Sequence, residues 1–191
     1  LWDDVSNAAN ASDEIKKIFN GIVFDTPKPT PYIKRMIELS TTSDDIILDF
    51  FSGSATTANA VLTLNAEDNG DRKFIMVQLP EDVSANSNAK KDGYTNICEI
   101  GKERIRRAAK KIQEEHPEAK FDNGFRVLKV DESNMTDVYY SADSYDQNML
   151  DQLESNIKAD RTDLDLLFGC LLEWGLPLSM PYTSENIEGC T

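Results

Sequence analysis

Two periods of apolar residues alternate along the chain and lay out a run of helices and strands. "ASDEIKKIFNG" predicts a short helix with Ser12 as N-cap and Gly21 past its end. A Pro-punctuated loop, "IVFDTPKPTP", leads into a second helix that Thr30 is placed to cap, with Pro31 in its first turn and Ile33, Met36 and Ile37 on its buried face. "DDIILDF" is apolar on both faces, the pattern of a central parallel strand covered by helices on each side. After the small-residue turn "SGSATT", "ATTANAVLTLNA" carries Ala55, Ala58, Val61 and Leu62 at helical spacing, "EDNGDR" turns, and "KFIMVQLP" reads as a second buried strand. Strand, helix, strand is a βαβ unit.

"EDVSANSNAKKDGY" has little to bury and reads as a mobile polar loop. The following long helix sets Ile97, Gly101, Ile105, Ala108 and Ile112 on one stripe and stops at Pro117. Lys102, Arg104, Arg106, Arg107, Lys110 and Lys111 are assigned to its solvated face rather than to phosphate. "GFRVLKVD", Gly124 to Asp131, predicts a third strand, and two helices follow, Gln147 to Ile157 and Leu164 to Trp174. For the second of these, Thr162 and Asp165 spell a capping box, and Gly175 and Pro177 end it. Its apolar run "LDLLFGCLLEW" is expected to be buried within the domain. The fold class is therefore α/β, with an α/β portion at 1–135 and a helical appendage at 136–191.

Charge and composition narrow the functions. The 191 residues carry a net charge of −14, which argues against this segment alone wrapping DNA or coating an anionic membrane. Cys98, Cys170 and Cys190 are widely spaced and His116 is the lone histidine, so neither a disulfide framework nor a metal site is indicated. No apolar run approaches a membrane span, no signal peptide is visible, and the first residue is Leu1 rather than Met. A soluble, cytoplasmic segment of a longer protein is the expectation.

The turn after the first strand holds the candidate chemistry. Ser52, Gly53, Ser54, Ala55, Thr56 and Thr57 put little bulk at the carboxyl end of a parallel strand, where a ligand can approach backbone N–H groups and the following helix. Tight strand-to-helix packing is the plainer explanation of the same small residues. No lysine follows Gly53 as a P-loop requires, and a dinucleotide fingerprint would find only Gly53, Ala55 and Ala58 at its three positions. Asp49, an acid within an apolar strand, needs a partner. It can hold a ligand ammonium group or tie down its own turn.

Four stretches stand in order: "VFDTPKPTPYIKRMI", "ILDFFSGSATTANAV", "KFIMVQLPE" and "ICEIGKERIRRAAKKI". Together they resemble the successive motifs of amino-methylating DNA methyltransferases that use S-adenosylmethionine, most nearly the modification subunit of type III restriction-modification systems. The resemblance, which covers roughly residues 1 to 135, implies a partial Rossmann-like fold whose three parallel strands lie in the order 3-2-1. It also implies that Asp49, Phe51, Gly53, Ser54, Ala55, Thr56 and Thr57 surround the methionine part of the donor, with Asp49 facing its amino group. Phe24, Asp25, Thr26, Lys28 and Pro29 would close the site from the other side, with Lys28 or its loop near the donor carboxylate. Where the family places an acid for the ribose hydroxyls this chain has Gln78, so either Gln78 or Glu81 is expected there. Ala55, where the family often has Gly, adds a methyl group expected to push the ligand outward.

The family's catalytic Asp/Asn/Ser-Pro-Pro-Tyr/Phe tetrapeptide is absent, so no catalytic residue is assigned and the segment by itself is expected to be inactive. DNA contacts are expected from other segments, and the restriction subunit of the same system is the expected partner. The bare edge of the first strand at Ile46 to Phe50 invites pairing with another chain, and a homodimer is expected. Two other readings stand beside this one: a nicotinamide- or flavin-binding oxidoreductase, disfavoured by Gln78 and Ala55, and a non-enzymatic interaction module docking through its C-terminal helices.

Overall fold

The structure, a computed structural model, describes residues 8–136 and 156–185. Contacts divide the chain into two compact units, Leu1–Gly124 and Phe125–Thr191. The first unit contains α1 (Ala8–Phe19), α2 (Thr30–Ser40), β1 (Ile46–Asp49), α3 (Thr56–Asp68), β2 (Lys73–Met76), α4 (Asn88–Lys91) and α5 (Ile97–Glu115). The second contains α6 (Asp163–Glu173).

β1 and β2 pair in parallel, Ile46 beside Lys73 through Asp49 beside Met76, and α3 connects them. The ladder runs on past the strands, where Val77 donates to the Asp49 carbonyl at 2.8 Å and accepts from the Ser52 N–H at 3.1 Å. One face of this sheet is covered. Ile47 and Phe74 pack with Ile33 against Ile37, Ala60, Val61 and Leu64 of α2 and α3. Full burial of a side chain such as Ile37, Val61 or Leu64 contributes about 1.5–3 kcal/mol. The other face is bare, with Leu48 59% and Ile75 51% exposed and Ile46, Phe50 and Val77 beside them. The expected cover on both sides is thus corrected: α2 and α3 share one face, and among the described residues nothing lies on the other. α3 itself is buried nearly all round, from Thr56 through Leu62 and from Leu64 to Ala66, because it lies between α2, β2 and α5.

Helix starts differ from the expectation in two places. Ser12 lies inside α1 rather than capping it, and Asn20, at φ 60°, takes the left-handed position after its end. Thr30 is the first residue of α2 and not its cap; Pro29 is the N-cap and offers no side-chain bond. The Glu14 carboxylate supplies it instead, accepting the Thr30 N–H at 3.0 Å. A carboxylate at this end also suits the helix dipole.

The polar segment before α5 is more structured than its composition suggests. It holds α4, capped by Ser87, with Ala89 buried beside Ile15, Phe19, Val23 and Ile100. α5 buries the expected Gly101, Ile105, Ala108 and Ile112, together with Ile100, Ala109 and, against expectation, Arg104.

In the second unit α6 begins at the expected capping box of Thr162 and Asp165, and Gly175 follows its end at φ 66°. No described residue of α6 is buried, which corrects the expectation that its apolar run is enclosed. Phe168 meets Tyr182 edge to face and the Arg126 guanidinium lies over both rings, while Leu172 and Trp174 remain exposed. The third strand expected at Gly124 to Asp131 forms no ladder among the described residues: Val127, Leu128 and Val130 are exposed, and without a partner backbone their β propensity has nothing to pair with. Of the helix expected at Gln147 to Ile157, residues 147–155 lie outside the described residues, and Ile157 forms an isolated antiparallel bridge with Met135.

Candidate functional site

The site is assembled where β1 ends. A turn of small residues leads from its last residue into α3, the extension of β2 flanks it, and the loop before α2 closes over it. Asp49 ties the turn together: Oδ1 accepts the Phe51 N–H at 3.2 Å and Oδ2 accepts the Thr57 hydroxyl at 2.6 Å. Each carboxylate oxygen retains acceptor capacity beyond one bond. Phe51 is 78% exposed and lies against Phe50 with ring centroids 5.0 Å apart.

Gly53 is required twice over. Its φ of 52° is left-handed, and a Cβ there would sit 3.4 Å from the Phe24 ring. Its N–H donates to Gln78 Oε1 at 2.7 Å, while Gln78 Nε2 donates to the Leu79 carbonyl at 3.2 Å. Gln78 therefore binds the turn to β2, and its acceptor is already engaged. Glu81 is exposed, and among the described residues its carboxylate has no hydrogen-bond or ion-pair partner; only its backbone is engaged, with Leu79 and Ile97.

Ala55 is also left-handed, at φ 60°, a conformation that costs a residue with a Cβ about 1–2 kcal/mol. Its methyl group is buried toward α5, where a Cβ built on Gly101 would lie 3.6 Å away. The expected outward push on a ligand is thus corrected, because that methyl packs against a neighbouring helix rather than facing the crevice. No side chain caps α3, so its first-turn N–H groups receive none of the usual help.

Of the loop residues, Phe24 is half-buried against Gly53 and the α1–α5 core, and Pro29 is buried. Asp25, Thr26 and Lys28 are exposed, and the ammonium group of Lys28 has no ion pair among the described residues. The Lys28 carbonyl accepts the Thr56 hydroxyl at 3.4 Å, joining loop to turn.

Behind the turn lies the residue that charge misassigned. Arg104 is 0% exposed; Nη1 donates to Ser54 Oγ at 2.9 Å and to Thr56 Oγ1 at 2.7 Å, and Nη2 donates to Thr30 Oγ1 at 3.1 Å. Glu14 Oε2 stands 3.7 Å from Nη2, and among the described residues Nε has no partner. Burial pushes the guanidinium down to about 10, opposed by Glu14, so it stays a cation at neutral pH. The signal was present in the sequence: Arg104 is four residues from Ile100 and from Ala108, squarely on the buried stripe. Charge alone placed it in solvent.

Arg104 is enclosed behind the turn, so the charge beside the turn itself is the Asp49 carboxylate, which suits a ligand ammonium group better than a pyrophosphate. Among the described residues no group of acids, histidines and cysteines could hold a metal ion, and no helix is long and apolar enough to cross a membrane.

Comparison with known proteins adds to this geometry. A family model described as DNA methylase matches residues 1–111. The StyLTI Mod subunit, a type III restriction-modification enzyme of Salmonella typhimurium strain LT2, is 46% identical over 125 residues, covering 65% of this chain and 19% of that protein. The type III EcoPI Mod subunit of Escherichia phage P1 is 41% identical over 105 residues, 55% of this chain and 16% of its own length. The type II methyltransferase M.KpnI of Klebsiella pneumoniae is 43% identical over 101 residues, 52% of this chain and 24% of its own length. The chain spans less than a quarter of the length of each of these relatives.

Proposed function

The chain belongs to the DNA methylase family whose model matches residues 1–111, and from that premise we propose that it is the cofactor-binding part of an adenine-N6 DNA methyltransferase, the modification component of a restriction-modification system. One observation supports this most. The turn at 52–57 is fixed by hydrogen bonds to Gln78, Asp49 and the buried Arg104, with the Phe24 ring set against Gly53. Its residues fit S-adenosylmethionine: Asp49 has lone pairs left for an ammonium group, and the exposed Lys28 can reach a carboxylate. Gln78 keeps a lone pair and a second N–H beyond its bonds to Gly53 and Leu79, and the exposed Glu81 carboxylate has no partner among the described residues, so the ribose hydroxyls fall to one of these two.

Bound there, S-adenosylmethionine would supply the methyl group that the amino nitrogen of a flipped adenine takes in line, a transfer assisted chiefly by positioning. Asp49 orients the donor's amino group, Phe51 shields one side of the crevice, and the left-handed Gly53 lets the backbone come close. The aromatic pair and the small turn exclude bulk rather than perform proton transfer. The Pro-Pro-Tyr-type motif, most DNA contacts and the contact with a restriction subunit belong to other segments of the full protein. The open edge of β1 would pair with a second copy of the chain when no other segment covers it.

Calorimetric titration with S-adenosylmethionine, S-adenosylhomocysteine and NAD tests the reading, repeated on Asp49→Asn. Asparagine keeps an acceptor for the Phe51 N–H and removes the charge. The expected result is binding of the first two ligands and not NAD, weakened about tenfold in the variant by loss of a charge-assisted hydrogen bond. Binding of NAD alone would overturn the assignment.

A further inference from the structure

Arg104 sits where a stability argument does not account for it. Its side chain is fully enclosed, and among the described residues its Nε is unpaired and its one nearby counter-charge is Glu14, 3.7 Å away with about a quarter of its side chain still in water. Desolvating a cation under such conditions is costly, and a well-packed apolar side chain of similar volume serves a core as well or better. What an apolar side chain cannot do is join hydroxyl groups on separate segments. The guanidinium carries its donors in a fixed planar fork, so each bond it makes constrains the directions of the others.

The hydroxyls it joins are those of Ser54 and Thr56 on the turn and Thr30 at the end of the loop, from sequence separations of 50, 48 and 74 residues. Two of the three residues, Thr56 and Thr30, are engaged a second time. Thr56 donates onward to the Lys28 carbonyl, Thr30 accepts from Asn59 Nδ2 at 3.2 Å, and the Thr30 N–H is held by the same Glu14 oxygen that faces Arg104. Ser54 and Thr56 are almost fully buried, so their hydroxyls face this node and not the crevice. The two walls of the crevice, the loop at 24–29 and the turn at 52–57, are thereby tied to one point on α5.

We propose that Arg104 is a positioning residue for the methyl-donor site, setting the separation between the Phe24–Pro29 loop and the Ser52–Thr57 turn through Thr30, Ser54 and Thr56. This rests on the donor reading above. It assigns Ser54 and Thr56 an indirect part: their backbone shapes the crevice, and their side chains anchor it. Lysine is no substitute at this position, since a single ammonium group cannot reach all three hydroxyls with the same geometry.

The test uses the full-length protein with Thr30→Val, Arg104→Lys and Arg104→Met, and two readouts. Hydrogen exchange without ligand follows the amides of residues 24–30 and 52–57, and calorimetry gives the dissociation constant of S-adenosylhomocysteine at a temperature where every variant is folded. Thr30→Val is nearly isosteric and leaves the Arg104 bonds to Ser54 and Thr56 in place, so it remains informative if Arg104→Met does not fold. The expected result is faster exchange in the 24–30 loop in all three variants and binding weakened about tenfold, with Arg104→Lys failing to restore it. Unchanged exchange in Thr30→Val and Arg104→Lys overturns the tie between the walls. Faster exchange with an unchanged dissociation constant overturns its service to the donor and leaves Arg104 a structural residue. If the wild type shows protected walls but binds neither S-adenosylmethionine nor S-adenosylhomocysteine, the donor reading itself is overturned, and the positioning assignment with it.

Discussion

Gly53 concentrates three demands on one backbone position: a left-handed φ of 52°, an N–H aimed at Gln78, and the Phe24 ring 3.4 Å from where a Cβ would be. Gly53→Ala is therefore expected to lose about 1–2 kcal/mol from backbone conformation alone, with crowding of Phe24 in addition. Urea denaturation measures the first effect. Weaker S-adenosylhomocysteine binding in the folded variant measures the second, and a variant as stable as wild type with unchanged binding would show that the turn relaxes freely. Asp49 and Gly53 are legible in the sequence because each breaks a local rule, an acid in an apolar strand and a glycine at a strand end. Thr30 and Glu14 are not, since a hydroxyl or a helix-surface carboxylate obeys every local rule until a distant segment is brought against it, and Arg104 is legible only in its helical spacing from Ile100 and Ala108, against its charge.

Helix boundaries illustrate how far local chemistry reaches. The capping box of α6 is a contact between residues three apart, and the structure has it as expected: Asp165 Oδ2 accepts the Thr162 N–H at 2.7 Å, and Thr162 Oγ1 accepts the Asp165 N–H at 3.3 Å. Thr162→Ala should cost the helix about 1 kcal/mol at neutral pH. The Thr162 hydroxyl, then its N–H, and more weakly Arg161 hold the Asp165 carboxyl below its ordinary value of 3.8. A depressed folded value means that this contribution is complete above 3.8 and lost as pH falls through the lower native value. The gap between wild type and Thr162→Ala, read from amide exchange in α6, is expected to narrow in acid. A gap that is constant with pH would remove the carboxylate from the cap. The start of α2 behaves oppositely, because its cap is Glu14 on another helix, a contact that no sequence window around Thr30 contains.

The molecule as a whole carries an unbalanced sheet. Apolar Ile46, Leu48, Phe50, Ile75 and Val77 lie exposed opposite the face that α2 and α3 cover, and among the described residues the outer edge of β1 is unpaired. A flat apolar edge of this kind templates association. Sedimentation of this chain is expected to show concentration-dependent dimers with slow amide exchange at Ile46 to Phe50, and Leu48→Lys is expected to shift them toward monomer. A monomer whose β1 amides exchange rapidly would refute the pairing. The family relationship gives the imbalance a context, since this chain spans less than a quarter of each relative it was compared with.

Local order and local punctuation suffice for part of this protein. Apolar periods, Pro and Gly positions and short-range caps account for α5 and α6 and for the turn on which a ligand can sit, because each depends on residues within a few positions of one another, and the order of strand, helix and strand accounts for the parallel βαβ unit. Motif order carried the family. Contacts between distant residues decided the rest: which face of the strands is covered, that Ala55 turns its methyl to Gly101, that Gln78 holds Gly53, and that Arg104 is drawn inside. A side chain's burial and its hydrogen-bond partners depend on segments that only folding brings together. The same arginine reads as solvated by its charge and as buried by its position on the helix, and the three hydroxyls waiting for it resolve the choice.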